Sequence, residues 1–464
     1  MTDGRSALKI EETLALWVVG ITSFLTPFLG SALNVALPAI GHDLSMNAVL
    51  LGWVVTAYLL AAAVTLLPCG GIADMIGRKR LLMAGTLIHG SASIVSALAP
   101  SPSILLASRV IAGIGGAMGF TTSTAILMSV IRPNERGRAL GWNVAAVYLG
   151  LSLGPPIGGF ITHDLGWRWV FGISAAAGLA VFALAKWGLP ADKLEHGTRR
   201  PDFLGSVIYG IGLIALMYGF TLLPRPAGIG MVIAGVAGLV FFLHLERRLE
   251  NPILDIRIFV GNPALTFSNL AALINYAATS AVGFMLSLYL QYSKGMSPRQ
   301  AGLILVAQPL FMTVFSPLAG RLSDRIPPGK IASVGMSIAV VTLAGFAFIR
   351  QDTAIWLVIT GLGILGLSFA LFSSPNTNAI MSSVKNSNYG IASGILATMR
   401  VLGQTTSMGV VALILAHCIG KTQITAANLP EFLRGFRIAF AFFSGLCLLG
   451  VFASLIRSRK QPES

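Results

Sequence analysis

The chain has 464 residues, of which 55% are hydrophobic and 11% charged. A soluble domain carries about 25% charged residues. A mean hydropathy of +0.80 cannot be hidden in one soluble core, because a globule of this length still exposes much of its surface. Disorder, a disulfide-stapled secreted domain and an ordinary soluble enzyme are excluded, and a polytopic membrane protein is indicated. Lys and Arg number 32 against 17 Asp and Glu. The position of those charges decides whether the excess of +15 reflects nucleic acid or membrane topology.

The first ten residues are polar, and the apolar stretch after them is too long for the core of a cleavable signal. It reads as a first transmembrane helix. A spanning helix needs about 20 mostly apolar residues. Fourteen such stretches are predicted, at 14–40, 48–71, 81–99, 102–128, 139–161, 169–189, 203–223, 228–245, 264–291, 300–320, 331–349, 354–379, 390–416 and 436–456. The fold class expected is an all-α polytopic membrane protein. The connectors are short except around 190–202, 246–263 and 417–435, and none leaves room for a soluble domain. The segment 246–263, with Pro252, reads as a short amphipathic helix on the cytoplasmic surface. Cys69, Cys418 and Cys447 show no CxxC or Cys/His spacing, so neither a disulfide framework nor a metal site is expected.

Basic residues favour cytoplasmic loops. With the N-terminus inside, 22 of the 32 basic residues fall on inner segments and 8 on outer ones, leaving Arg109 and Arg400 within spans. Both termini are therefore expected in the cytoplasm, the charge excess describes topology, and no nucleic-acid partner is implied.

An internal repeat follows. Gly70-Gly71-Ile72-Ala73-Asp74 leads into Met75-Ile76-Gly77-Arg78-Lys79-Arg80, and Gly320-Arg321-Leu322-Ser323-Asp324 leads into Arg325 and Lys330. The spacing exceeds six helices with loops by about two helices, and the pair at 203–245 supplies them. The layout is six, two, six: residues 1–200, 201–262 and 263–464. Parallel halves about an axis along the membrane normal are a transporter architecture. In the first copy Gly70 permits close helix approach, Gly77 a tight turn, and Arg78 and Lys79 hold the loop in the cytoplasm. Asp74 suits a latch with Arg138 at the start of the fifth helix, or with a helix N-terminus. The plainer reading is a topology-setting charged turn.

With this repeated turn the chain resembles a major facilitator superfamily transporter. The extra central pair makes it similar to the fourteen-helix second drug/proton antiporter group. The segment Gly150-Leu151-Ser152-Leu153-Gly154-Pro155-Pro156-Ile157-Gly158-Gly159 matches that group's antiporter motif, which implies an exporter. Glycines at 150, 154 and 158 form a smooth packing ridge, and Pro155 and Pro156 remove backbone donors and bend the helix. Hinge and seal is the functional reading; a packing face with no say in direction is the alternative. The resemblance implicates Arg109 in proton coupling, although Ala112 stands where the group's motif has Gln. An arginine near a helix end can also snorkel outward.

Asn34-Val35-Ala36-Leu37-Pro38 matches the end of the group's first-helix motif, but Leu29 falls where its aspartate belongs. None of the seventeen acids lies in the middle third of a span. A bare cation is poorly received in such an interior, so neutral, zwitterionic or weakly anionic substrates move up. His89 is the mid-membrane titratable group, and a bond to a neighbouring helix is its expected role. Arg400 suits a positive pocket or a gate contact. Asn34, Tyr58, Tyr148, Asn275 and Gln308, with Tyr276 and other amides, suit a central cavity, while each alone also suits interhelical hydrogen bonding.

No ATP-binding loop, nucleophile elbow or zinc-protease signature occurs. The expectation is a non-enzymatic, cofactor-free secondary transporter in the plasma (inner) membrane, a monomer whose partners are a small-molecule substrate, protons and the lipid bilayer. Export of lipophilic or amphipathic compounds by proton antiport is the first function. An importer or facilitator of an organic anion is the second, and a non-transporting membrane protein the third.

Overall fold

A segment crossing lipid must satisfy its own backbone N–H and C=O groups, and a helix does so within one segment. The computed structural model describes residues 3–131, 136–190, 202–249, 252–254, 256–323, 325–384, 389–420 and 422–459. Among these residues every regular element is a helix. In order they are α1 (Asp3–Asp43), α2 (Ala48–Ile76), α3 (Arg78–Ala97), α4 (Pro102–Val130), α5 (Arg136–Asp164), α6 (Arg168–Gly188), α7 (Phe203–Leu222) and α8 (Pro226–Glu246). Then follow α9 (Pro263–Thr279), α10 (Val282–Leu288), α11 (Pro298–Leu305), α12 (Ala307–Ser323), α13 (Pro328–Phe346), α14 (Ile355–Ser382), α15 (Tyr389–Cys418) and α16 (Leu429–Arg459).

Among the described residues, 13 segments are long and apolar enough to cross a membrane. The twenty-residue α3 packs on α4 and α6 but is not among them; its glycine, serine, threonine and histidine lower its hydropathy. Two expected spans are interrupted. Between α9 and α10 the Ala281 N–H bonds Ser407 Oγ on α15 at 3.0 Å. Between α11 and α12 the break falls at Val306. Pro309 has no N–H to offer the Leu305 carbonyl one turn back, which explains that position.

The helices group as α1–α6 and α9–α16. The α7–α8 hairpin lies against both, touching α2 of the first group and α15 of the second. Gly212 and Gly219 of α7 face Gly235 and Gly228 of α8, so the hairpin's two backbones approach closely.

The expected amphipathic helix after α8 is not formed. Among the described residues, 252–254 are irregular and one four-residue 3₁₀ turn follows, Ile256–Phe259. Pro252 supplies no helical N–H, and the Leu254 N–H is taken by the Glu246 side chain at 2.8 Å instead of by a helical carbonyl. Leu254 is buried in a cluster with Leu60 of α2, Leu213 of α7 and Ile395 of α15.

Candidate functional site

The glycine face of α5 is its contact surface. A Cβ on Gly150 would strike the Phe24 carbonyl, one on Gly154 Ser31, and one on Gly158 Ala32, all on α1. Gly159 faces the other way: a Cβ there would lie 2.6 Å from the Pro298 carbonyl oxygen of α11. Gly302 of α11 is pressed in turn against the Pro155 carbonyl. The helix remains continuous through Pro155 and Pro156.

Further contacts continue this seam between the two groups. Ser152 Oγ and Thr313 Oγ1 are 3.1 Å apart. Ser287 Oγ donates to the Asn34 carbonyl at 2.6 Å, and Gln291 Nε2 to that of Val35 at 3.0 Å. The Ala48 N–H donates to the Thr422 carbonyl at 3.2 Å. Between described residues, these hydrogen bonds join the groups from mid-helix toward the end that carries Asp43. At the opposite end Asp74 pairs at 3.3 Å with Arg78 of its own group, and the carboxylate is 70% exposed. Gly77 turns the chain there with a φ of 102°, the region that favours glycine. Lys79 Nζ donates to the carbonyls of Lys186 and Leu189, capping the end of α6. Gly70 has open space around its Cβ position. Asp324 lies outside the described residues, as does the side chain of Arg138.

Arg109 is only 2% exposed and does not snorkel outward. Its Nε donates to the Val54 carbonyl at 3.1 Å, and its guanidinium sits 4.5 Å from the Tyr58 ring centroid and 5.6 Å from that of Phe171. Nη1 has no partner. Tyr58 therefore belongs to this cation–π packing on α4 rather than to a shared cavity. A Cβ on Gly116 would collide with its hydroxyl, which explains the small residue at that position. His89 uses both ring nitrogens, with Ala112 O at 3.2 Å and Ser174 Oγ at 3.1 Å, and ties α3 to α4 and α6.

Arg400 is different. It is half-buried on α15, donates from Nη2 to Thr377 Oγ1 at 3.1 Å, and holds its guanidinium 5.7 Å from the Tyr276 ring centroid. Its Nε has no partner. The Tyr276 ring packs edge-on against Phe369. Arg400 thus meets Tyr276 of α9 within its own helix group, and Tyr148 of α5 is half-buried.

The remaining candidates disperse. Asn34 sits in the seam, its carbonyl taken by Ser287 and its Oδ1 unpartnered. Asn275 is fully buried, with both amide atoms unpartnered. Gln308 is half-buried, its carbonyl against Gly366. Asn376 and Asn378 bond neighbouring helices at Ser268 and Ser323. The sequence reading missed Ser287, Gln291 and Gly302 of the seam and Thr377 beside Arg400. The signal for Gly302 was a second glycine opening a span opposite the α5 ridge. For Thr377 it was a hydroxyl inside an apolar helix.

The sequence profile of the Major Facilitator Superfamily matches residues 19–407 and 268–464. The riboflavin transporter RibZ of Clostridioides difficile is 28% identical, over 98% of this chain and 99% of its own. The multidrug resistance protein Stp of Mycobacterium tuberculosis is also 28% identical, over 89% of this chain and 77% of its own. A D-xylose–proton symporter shares the fold, with a TM-score of 0.68 at 15% identity over 97% of this chain and 98% of its own. A full-length family match, an all-helical fold with 13 candidate spans and a seam between two helix groups agree: the chain belongs to the major facilitator superfamily and is a multi-pass membrane transporter.

Proposed function

We propose that this transporter exports small lipophilic or amphipathic compounds across the plasma (inner) membrane by alternating access, coupled to proton entry. It does so as a monomer of fourteen spans with both termini in the cytoplasm, and residues 1–200 rock against 263–464 around a mid-membrane site. The observation that carries this reading is the glycine face of α5. The segment that matches the exporters' motif is the one whose Gly159 meets the other half at Pro298, so the motif lies where a rocking motion must open and close. With the Asp43 end outside, the seam closes the outer side and the arrangement faces inward. Asp74, Arg78, Arg138 and Asp324 are the groups for the inner gate when the halves rock back. Arg109, encased in Tyr58, Phe171 and the Val54 carbonyl, is the coupling charge.

The substrate class follows from Arg400 and Tyr276. The Tyr276 ring beside a guanidinium whose Nε has no partner among the described residues suits a planar or amphipathic molecule that is neutral or weakly anionic. The position of Leu29 supports this, since no carboxylate in the middle of the first helix neutralises a cation. The names of RibZ and Stp suit a cavity for organic compounds of this kind. Facilitated movement of an organic anion is a second reading, favoured by the unpartnered Arg400 Nε. Accumulation assays in an efflux-deficient host separate the two. Export lowers the retention of neutral and weakly anionic aromatic dyes in energised cells and loses that effect when an uncoupler collapses the proton gradient. Retention that rises on expression, or is unaffected by the uncoupler, contradicts proton-driven export.

A further inference from the structure

The α7–α8 hairpin carries a second constellation, outside both six-helix halves. Asp202 caps α7, its Oδ1 accepting the Gly205 N–H at 2.9 Å. Its Oδ2 is buried and has no partner among the described residues. Glu246 closes α8, is 1% exposed, and accepts the Leu254 N–H on Oε2. Its Oε1 is also buried and unpartnered. Both free oxygens converge on Gly205, where a Cβ would collide with each.

Ionised carboxylates only accept. Two acceptor oxygens facing each other without a donor repel, and a single shared proton turns that repulsion into a hydrogen bond. The surroundings offer no other compensation among the described residues. His244 on α8 and Arg247 and Arg248 just after it are exposed, and Arg257 donates to the Leu249 carbonyl. The neighbouring linker contributes backbone N–H groups at Ile253 and Leu254. Glu250 and Asp255, and Arg199 and Arg200 ahead of Asp202, lie outside the described residues.

We infer that Asp202 and Glu246 form a proton-binding site whose occupancy holds the α8–α9 linker in place. The link is mechanical. The Glu246 oxygen that is not facing Asp202 fixes Leu254, and Leu254 seats the linker in a cluster with Leu60 of α2 and Ile395 of α15, one from each half. Loss of the proton sets two buried negative charges against each other. The relief is for Glu246 to swing out, which releases Leu254 and loosens the joint between the halves. The proton is bound in the seated state and released in the loosened one, so seating weakens as pH rises, by up to about tenfold per pH unit for one proton. This site stands apart from the direction and substrate of transport, and it holds or fails independently of the export reading.

Hydrogen-exchange protection of the peptide spanning 252–260, corrected for intrinsic rates, tests it on the full-length protein in lipid nanodiscs. In the wild type, protection should fall as pH rises, with up to about tenfold loss per unit. Glu246→Gln replaces the shared proton with a permanent amide donor and should keep the peptide protected across the same range. Glu246→Ala should leave it unprotected throughout. Infrared spectra should show a protonated-carboxyl band in the wild type that Glu246→Gln removes. Protection that is flat with pH in the wild type overturns the inference, as does a Glu246→Gln profile that tracks the wild type.

Discussion

Arg109 and Arg400 look alike in the sequence: each is a lone arginine inside an apolar helix, with no carboxylate at helical spacing. Their surroundings separate them. Arg109 is 2% exposed and enclosed by one carbonyl and two rings within the first helix group. Arg400 is half-buried, held by one threonine and one ring, on α15, a helix that packs against α2 of the opposite group. A charge sealed in its own bundle can sense a proton or a change of packing. It cannot greet a substrate. A charge at the place where two bundles meet can do so.

The sharpest way to break this contrast is Arg400→Ala. Loss of a charge-assisted contact costs about 1.5–3 kcal/mol, so KM for anionic aromatic compounds should rise about 10- to 100-fold while that for neutral ones changes far less. Arg400→Lys should recover part of the loss, since it keeps the charge without the planar donor. Arg109→Ala should leave the ranking of substrates unaltered while reducing proton-driven uptake into vesicles. A changed substrate ranking in Arg109→Ala would erase the distinction.

The seam offers a second handle. Gly159→Val would drive a side chain into the Pro298 carbonyl and cost the closed outer seam about 1–3 kcal/mol. Accessibility of an Asn34→Cys probe to an impermeant thiol reagent should rise about 10-fold or more. Unchanged labelling would mean that Gly159 is not a seal. His89→Ala removes two hydrogen bonds between helices and should cost about 1–3 kcal/mol in thermal stability, with no change in the pH profile of transport. A displaced pH profile would instead give His89 a place in coupling. Gly77→Ala, forced to a φ of 102°, should show the smallest effect, a destabilisation of about 1–2 kcal/mol seen in thermal unfolding.

The sequence made the spans legible, because about 20 apolar residues in lipid have few alternatives to a helix. The α5 motif was legible for a related reason: a glycine every fourth residue makes a smooth stripe whatever it packs against. What stayed hidden depended on which neighbour a face meets. Tyr58 had the look of a cavity residue until the small surface at Gly113 and Gly116 drew it onto α4 and over Arg109. The stretch after α8 had the charge pattern of a surface helix, yet Glu246 captured the Leu254 N–H, and Leu254 is buried. That capture joins residues eight apart across a proline, a relation that periodicity does not carry. Asp202 and Glu246 are separated by an entire hairpin and meet because α7 and α8 run antiparallel.

The measurement that bears most directly on coupled export is substrate-driven proton movement in inside-out membrane vesicles, using matched cationic, neutral and anionic aromatic compounds. Neutral and weakly anionic compounds should release protons from energised vesicles, and Arg400→Ala should suppress the anionic response first. A response confined to cations would contradict the substrate class drawn from Leu29 and Arg400. Transport of any compound without proton movement would contradict antiport itself.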